Sequence, residues 1–271
     1  MIVRQLTRKA EILSVLEADR LYAAYPIGDL TDNLFGQCQW AAAEKDGRPV
    51  ALAMTFSGLQ TPAVFVMGEP AGVQAILRSG LRPPNVYLTL RPEHMPAVAG
   101  IYRMSDERCM WRMAVDRESF TPVDSVALRR HSADIARLNT LYSWGGPGFF
   151  AAYQVEQGVY YAIEHDGELV AAAGTHVVAP EYGIAAIGNV YTSLEWRGRG
   201  LATACTSAVA AELLDLGCRS VVLNVHQDNA AAIRAYRRLG FRTHCSFIEA
   251  RARRRPHVEQ IVRRFIFSSG T

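Results

Sequence analysis

The sequence is organised around residues 185–241, which read AAIGNVYTSLEWRGRGLATACTSAVAAELLDLGCRSVVLNVHQDNAAAIRAYRRLGF. Inside this stretch an apolar run ends at Arg197-Gly198-Arg199-Gly200, and a helical pattern follows directly. The two glycines allow the backbone to turn so that successive N–H groups point into one concavity. The start of the next helix adds unpaired N–H groups and the positive end of the helix dipole. The loop and the helix together therefore predict a binding site for a diphosphate.

The segment after this loop has the spacing of a buried helix. Its apolar residues recur every four positions and so share one helix face: Leu201, Cys205, Val209 and Leu213. Gly217 then supplies a C-terminal stop. We expect a helix that begins at the loop and packs this face into a core.

Two segments of the chain resemble each other. Residues 37–56 and 157–176 each read as two apolar strands around an Asp-Gly turn, and nine of the twenty aligned positions are identical. The order of predicted elements around the two hairpins also matches. These matches predict an internal duplication.

The two copies differ at the position of the glycine loop. The first copy has residues 67–72, MGEPAG, in place of the glycine loop. Glu69 would repel a phosphate, and Pro70 lacks the N–H group needed to hold one. We therefore expect a division into residues 1–120, without a phosphate site, and residues 121–271, with one. The boundary falls in the polar segment 116–125, DRESFTPVDS.

Local patterns predict several elements around these motifs. Residues 3–6 read as a strand, 9–20 as a helix, and 25–29 as a loop because they are rich in turn residues. Residues 95–102 read as helical. Residues 133–141 read as a helix with Ser132 as its N-cap.

Composition excludes several classes of protein. The 271 residues carry a formal net charge of only +3, which is too small to indicate nucleic acid as a partner by itself. No apolar run is long enough for a membrane span, and the N-terminus lacks a signal-peptide pattern, so a cytoplasmic protein without a membrane partner is expected. The five cysteines lack metal-site spacing and the histidines are scattered, so we expect reduced thiols and no metal.

One local charge cluster leaves alternatives open. Arg251, Arg253, Arg254 and Arg255 precede Pro256. They read as a solvated loop, as a patch near a phosphate-bearing ligand, or as a contact for nucleic acid, which would make that binding salt-sensitive.

The order of the predicted elements and the motifs together resemble the GNAT superfamily of acyl-CoA-dependent N-acetyltransferases, and the glycine-N-acyltransferase-like C-terminal domains in particular. The residues that carry the resemblance are Val190-Tyr191-Thr192, the run from Glu195 to Ala202, and the run from Asn224 to Phe241. The resemblance covers residues 126–267 directly and the first half only through the repeat. It implies an α/β class with two tandem GNAT-like folds, each a mostly antiparallel twisted sheet flanked by helices. Residues 1–120 would be a degenerate copy without a CoA site, and residues 121–271 the catalytic domain.

The resemblance also implies the cofactor acetyl-CoA. Its diphosphate would rest on the loop and on the start of the helix, and its pantetheine arm would bond to the edge of a strand and to the next helix. Asn229 reads equally as a helix N-cap. The cofactor-binding residues implied in this way are Val190, Tyr191, Thr192, Arg197, Gly198, Arg199, Gly200, Leu201, Ala202, Asn229 and Ala232.

Tyr236 is the catalytic residue that the resemblance implies. It lies seven residues after Asn229, two turns along the same helix face. A hydroxyl there would protonate the departing thiolate of CoA. The alternative is a core aromatic, since Ile233 and Leu239 extend the same apolar stripe.

The acceptor side is less well defined by sequence. The amine must lose a proton, and many family members place a carboxylate on the strand that here spans residues 185–192, which has none. His176, Tyr191 or an ordered water are the remaining candidates for the base. The candidate acceptor-binding residues are Trp144, Phe149, Tyr160, His176 and Asn189.

These observations favour an N-acetyltransferase that transfers acetyl from acetyl-CoA to a primary amine of a small molecule or peptide by direct attack. The alternative is an acyl-CoA-binding sensor or partner-binding module without turnover. A homodimer is compatible with either function. The sequence does not name the amine.

Overall fold

The structure is a computed structural model that describes residues 1–146 and 150–256. Its strands are β1 (Ile2–Leu6), β2 (Cys38–Lys45), β3 (Arg48–Phe56), β4 (Ala63–Gly68), β5 (Asn85–Leu90), β6 (Tyr102–Val115), β7 (Leu128–Arg129), β8 (Tyr161–His165), β9 (Glu168–Ala179), β10 (Ile184–Thr192), β11 (Ser220–His226) and β12 (Arg242–Arg254). Its α-helices are α1 (Lys9–Leu16), α2 (Ala24–Gly28), α3 (Asp32–Phe35), α4 (Pro70–Ala75), α5 (Met95–Ala99), α6 (Ile135–Ser143), α7 (Ala152–Gln157), α8 (Leu201–Asp215) and α9 (Ala230–Arg238). Short 3-10 segments and one π-helical turn, Ile76–Gly80, connect them.

The chain forms two compact units that alternate along the sequence. The first comprises residues 1–15, 36–108 and the described residues from Phe247 onward, and the second comprises residues 16–35 and 109–246. The sequence predicts one cut near residue 120. In the structure, residues 16–35 lie in the second unit, where α2 packs against β9 and β10, and residues 109–120 lie there because β6 passes from the first unit into the second.

The first unit contains a mixed sheet covered by short helices. Its strand order is β1-β2-β3-β4-β5-β12, where β12 contributes its residues from Phe247. β4 and β5 pair in parallel, and the other neighbours pair antiparallel. The predicted hairpin is present, and Asp46 (φ 51°) and Gly47 (φ 74°) take the left-handed conformations of a two-residue turn.

The second unit repeats this arrangement. Its strand order is β7-β8-β9-β10-β11-β6, where β6 contributes its residues from Cys109, and β10 and β11 form the parallel pair. The other neighbours pair antiparallel. Its hairpin turns at Asp166 (φ 50°) and Gly167 (φ 85°). The same pairings in the same order agree with an internal duplication, and both units have the mixed sheet flanked by helices that the resemblance implies.

Helices cover both faces of the second unit's sheet. Ala171 and Ala173 of β9 pack in the cluster that includes the predicted buried face of α8. Ala172, between them, packs in a separate cluster with Leu138 and Leu141 of α6. Since successive strand residues point to opposite faces, α8 and α6 lie on opposite sides of the sheet.

The prediction of a loop at residues 25–29 is wrong. Residues Ala24–Gly28 form α2, which packs against β9 and β10. Pro26 lies in the first turn, where its missing N–H costs nothing. Gly28 allows the close approach, because a Cβ there would lie 2.2 Å from Val177 Cγ1. Turn-rich composition was misleading here because tertiary packing stabilises so short a helix.

Two further expectations differ from the structure. Ser132 is not the N-cap: His131 is the N-cap residue of a 3-10 turn, Ser132–Asp134, and α6 begins only at Ile135. Residues 95–102 are helical only as far as Ala99.

The 14-residue strand β6 has no clear sequence signal, because a charged and mostly exposed run near its middle hides the alternation expected of a strand.

The arginine cluster of the first unit is engaged with its own chain. Arg254 donates to the Leu77 carbonyl oxygen across 2.9 Å, and Arg255 Nε donates to the Ala99 carbonyl oxygen across 3.0 Å. Two of the four arginine side chains are therefore bonded to carbonyl oxygens of the chain itself, and these contacts need no phosphate ligand to explain them. Across the described ranges, no helix has the length and apolar character needed to cross a bilayer, and no three potential metal-ligand side chains cluster.

Candidate active site

The second unit's parallel strands separate before they end. The pairing of β10 with β11 stops at Ile187 and Leu223, although β10 continues to Thr192 and β11 to His226. β10 still pairs with β9 at Tyr191 and Thr192. In the described structure, the β11-facing edge of residues 188–192 is therefore left without a strand partner. This edge includes the predicted pantetheine-binding residues Val190 to Thr192.

A bulge marks the point of separation. The register between β10 and β9 shifts between Gly188 and Tyr191. Asn189, inside the bulge, has a left-handed φ of 51°. A side chain in this conformation costs roughly 1 kcal/mol or more. The surrounding structure must therefore hold it in place.

Side chains surround the buried Asn189. Its Nδ2 donates to Tyr160 Oη across 2.6 Å and to Gln154 Oε1 across 3.1 Å. Its Oδ1 lies 3.1 Å from His176 Nε2. Its carbonyl oxygen accepts from Tyr142 Oη across 2.9 Å. The bulge is thus fixed by groups from α6, α7 and β9 and by Tyr160, which immediately precedes β8. We call these four partners and Asn189 the Asn189 network.

The protonation of His176 follows from this network. Gln154 Oε1 also accepts from the Ala151 N–H, so it is the amide oxygen. Asn189 Nδ2 must therefore face Gln154, and its Oδ1 must face His176. His176 consequently donates from Nε2, and its Nδ1 accepts from Tyr25 Oη across 3.1 Å. Burial lowers the His176 pKa, while the Asn189 bond opposes that shift, so the ring is neutral at physiological pH.

Glycines make room for the rings of His176 and Tyr160. A Cβ at Gly188 would lie 2.4 Å from the His176 ring, and a Cβ at Gly174 would lie 2.2 Å from the Tyr160 ring. Both rings therefore pack directly on strand backbone. Burial also raises the pKa of Tyr160, which keeps its hydroxyl protonated.

The five predicted acceptor-site residues do not all meet. Tyr160, His176 and Asn189 come together in the Asn189 network. Trp144 is 73% exposed, and only its carbonyl oxygen reaches this region, where it accepts from Tyr191 Oη across 2.7 Å. Phe149 lies outside the described residues.

The glycine loop has the predicted conformation. Gly198 (φ 78°) and Gly200 (φ 79°) are both left-handed, and a Cβ at either would meet nothing within 4 Å. Gly200 precedes α8, and no side chain of the described structure caps that helix. The first N–H groups of α8 are therefore available to an anion.

The two loop arginines fold back on the preceding segment. Arg197 Nε donates to the Thr192 carbonyl oxygen across 3.2 Å. The Arg199 guanidinium carbon lies 4.5 Å from the centroid of the Trp196 ring. Both contacts hold positive charge beside the loop.

α9 begins where β11 ends. The Asn229 side chain accepts from the Ala232 N–H across 3.1 Å, so Asn229 is the N-cap of α9, as one of the two interpretations of this residue predicted. Tyr236 is 6% exposed and packs against Phe241 with ring centroids 6.0 Å apart. Burial raises its pKa to about 12, so this hydroxyl keeps its proton and can act as a donor. Because β10 and β11 run parallel, the glycine loop and α9 start at the same edge of the sheet.

The first unit lacks this cradle. Its parallel pairing also stops early, at Phe65 and Thr89. The chain then enters α4 through Glu69, with Pro70 as the first helical residue. His94 Nε2 lies 2.8 Å from the Gly68 carbonyl oxygen, at the equivalent of the glycine loop.

The sequence did not indicate three contributors to the second unit's site. Tyr142 and Gln154 reach the Asn189 network from α6 and α7, and Tyr25 reaches it from α2. The first two carry no motif. Tyr25 lies 151 residues before His176, in a segment that reads as a loop.

Comparisons with known proteins agree with this architecture. Residues 129–241 match the family described as Acetyltransferase (GNAT) family. The chain is 31% identical over 153 residues to a mycothiol acetyltransferase of Parafrankia sp. (strain EAN1pec), an alignment covering 52% of this chain and 48% of that protein. The chain thus spans about half the length of the curated relatives it matches.

Solved structures show the same fold over most of the chain. A GCN5-related N-acetyltransferase from Kribbella flavida superposes with a TM-score of 0.62 at 15% identity, covering 89% of this chain and 97% of that one. A tandem GNAT protein from the clavulanic acid biosynthesis pathway superposes with a TM-score of 0.54 at 15% identity, covering 94% and 100%. At these identities the likeness concerns the fold alone.

Proposed function

With residues 129–241 forming a domain of the acetyltransferase (GNAT) family, we propose that this chain is an N-acetyltransferase. It transfers an acetyl group from acetyl-CoA to a primary amine of a small molecule or peptide by direct attack. The observation that carries the proposal is the separation of β10 from β11, with an open glycine loop at the end of one strand and Tyr236 on the helix after the other.

The residues of this edge fit acetyl-CoA. The amides from Gly198 to Ala202 lie where no side chain competes for an anion, which suits a diphosphate. The unpaired edge at Val190 to Thr192 offers main-chain groups to the two amides of pantetheine. Asn229 has its side chain in the N-cap, so its contact with the cofactor would use the remaining polar atoms.

Bound acetyl-CoA would supply the thioester that the amine attacks. The Val190 N–H, next to the fixed Asn189 bulge, would donate to the thioester oxygen as negative charge develops there. The Tyr236 hydroxyl, protonated at any physiological pH, would give its proton to the departing sulfur. The first unit, with Glu69 and Pro70 at the equivalent loop, would bind no acetyl-CoA.

A second candidate function is an acyl-CoA-binding protein without turnover. One observation favours it: both ring nitrogens of His176 are already engaged, so this imidazole cannot itself contact an amine. Tyr236 and the intact loop favour the enzyme.

Release of CoA from acetyl-CoA, measured over a panel of amino sugars, amino acids, amino alcohols and peptides, separates the two functions. An acceptor related to mycothiol belongs in the panel because of the relatives' name. The expected result is an acetylated amine, identified by mass spectrometry. Tight binding of acetyl-CoA by calorimetry, with no turnover of any amine, would leave only the binding protein.

A further inference from the structure

The side chain bonded to the second ring nitrogen of His176 comes from the N-terminal part of the second unit. α2 packs on β9 and β10 and presents Tyr25 to His176 Nδ1 at 3.1 Å. His176 in turn holds Asn189, which immediately precedes the proposed oxyanion donor Val190. Tyr25 and His176 are both half-buried, and His176 is in addition covered on one ring face by Gly188 and bonded at both nitrogens.

We infer that Tyr25 is the catalytic residue that takes the proton of the acceptor amine, with His176 Nδ1 receiving the proton of Tyr25 in the same step. This inference rests on the proposed acetyl transfer. It explains how a site without a carboxylate on β10 can deprotonate an amine, and why His176 needs no open nitrogen of its own.

The proton transfers balance. The amine nitrogen bonds to the acetyl carbon as the carbon–sulfur bond breaks, and the sulfur takes the Tyr236 proton. The amine gives one proton to Tyr25 Oη, and Tyr25 gives its original proton to His176 Nδ1. After the amide leaves, His176 returns a proton through Tyr25 to water, and Tyr236 regains one from water. The net change is amine plus acetyl-CoA to amide plus CoA.

Charges around Tyr25 suit this role. The Arg112 guanidinium carbon lies 4.8 Å from the centroid of the Tyr25 ring and stabilises negative charge that develops on the phenol. Burial lowers the pKa of His176 and so disfavours the imidazolium, and the Asn189 Oδ1, which accepts from His176 Nε2, opposes that effect.

Other titratable groups lie near this pair and will contribute to any pH profile. Asp29 follows Tyr25 by one turn, since its N–H donates to the Tyr25 carbonyl oxygen across 2.9 Å, and burial raises its pKa to about 7. Burial also raises the pKa values of Tyr153 and Tyr160, on the α7 side.

The test compares Tyr25→Phe and His176→Gln with a matched control, Tyr182→Phe. Tyr182 Oη donates to the Leu30 carbonyl oxygen across 3.3 Å, so the control also loses one hydroxyl bond to this N-terminal segment. With an amine that the wild type acetylates, kcat/KM should fall about 10²-fold in Tyr25→Phe and His176→Gln. In both variants, the pH at which the rate rises should move towards the pKa of the amine itself, about 10. Acetyl-CoA affinity should not change, and Tyr182→Phe should behave as wild type.

An equal pH profile in Tyr25→Phe and wild type would overturn the assignment of Tyr25 while leaving acetyl transfer standing. A wild type that acetylates no amine would overturn the proposed function, and the base with it. A second measurement needs no acceptor: ¹⁵N–¹H correlation spectra of the histidine rings should show His176 protonated at Nε2. A proton at Nδ1 would make Tyr25 an acceptor in this bond and would overturn the relay.

Discussion

His176 Nε2 donates to Asn189 Oδ1 across 3.1 Å, and Asn189 holds a left-handed φ of 51° within β10. The bond connects a strained backbone position to the half-buried His176 ring of the neighbouring strand. The strain sits where β10 and β11 stop pairing, so the same residue that bends the strand also determines where the next N–H, that of Val190, points. In the proposed mechanism, the Asn189 network would preorganise the donor to the thioester oxygen.

Asn189→Ala should destabilise the protein by about 3 kcal/mol. Alanine retains the strain of positive φ, and His176, Tyr160 and Gln154 each lose a buried partner. The loss of stability in Asn189→Gly should be smaller than in Asn189→Ala by up to about 1 kcal/mol, because glycine adopts a positive φ readily. Urea unfolding curves for the two variants and the wild type measure both differences.

The control for this pair is Asn139→Ala, at an exposed position of α6. It should stay within about 0.5 kcal/mol of the wild type. If Asn189→Ala were as stable as this control, the network would contribute nothing to folding and the bulge would be held by the sheet alone.

Tyr236→Phe should lower kcat by about 10²-fold and leave the dissociation constant of acetyl-CoA within about twofold. The ring still fills the core beside Phe241, so only the proton donor is lost. Steady-state release of CoA and calorimetric titration give the two quantities. A variant with unchanged kcat would show that Tyr236 is a core aromatic, the alternative that its stripe with Ile233 and Leu239 already suggests.

The sequence could predict those parts of the site whose signals are local. The glycine loop, the four-residue spacing in α8 and the Asp-Gly turns each require particular residues within a few positions, and all three are present in the structure. The N-cap at Asn229 could be proposed for the same reason. The pairing of Tyr25 with His176 could not, because it depends on how α2 packs against β9, 151 residues away.

The division into units escaped prediction for a similar reason. A cut near residue 120 follows from composition, but strands are assigned by their partners. β6 pairs with β11, and the end of β12 pairs with β5. Only the three-dimensional pairing shows that each sheet receives its last strand from a segment that crosses between the units.

Gly200→Glu should abolish acetyl-CoA binding while the protein stays folded. A Cβ there meets nothing within 4 Å, so we expect the fold to lose only the roughly 1 kcal/mol of positive-φ strain. Its carboxylate, however, would lie beside the amides proposed to hold the diphosphate and would repel it. Calorimetry should give one acetyl-CoA per wild-type chain, since the first unit lacks the loop, and none for the variant.

Gly217→Glu is the matched control at the other end of α8. Gly217 also has a positive φ, 96°, and open space around its Cβ. The Gly217→Glu variant therefore introduces the same side chain and similar backbone strain far from the loop. Its affinity for acetyl-CoA should be retained. Loss of binding in both variants would point to strain in α8 rather than to charge at the diphosphate, and retained binding in Gly200→Glu would contradict the placement of the diphosphate.

Asp29→Asn should make the protein more stable at pH 8 than the wild type, with a smaller difference at pH 5. Burial raises the Asp29 pKa from 3.8 to about 7, so the folded state binds this proton more tightly than the unfolded chain does. Stability from this group is then greatest below pH 3.8, falls as the pH rises, and is fully lost above pH 7. We expect a gain of about 2 kcal/mol at pH 8, about half of what complete burial would give, because Asp29 is only half-buried.

Urea unfolding of Asp29→Asn and wild type at pH 5, 6.5 and 8 measures this difference directly. Asp124→Asn, in an exposed loop, provides a control that changes the same functional group without the burial. Its difference from wild type should stay constant across the three pH values. A constant difference for Asp29→Asn as well would mean that Asp29 titrates alike in the folded and unfolded chains, and that the carboxylate that follows α2 is ionised in the folded protein at all three pH values.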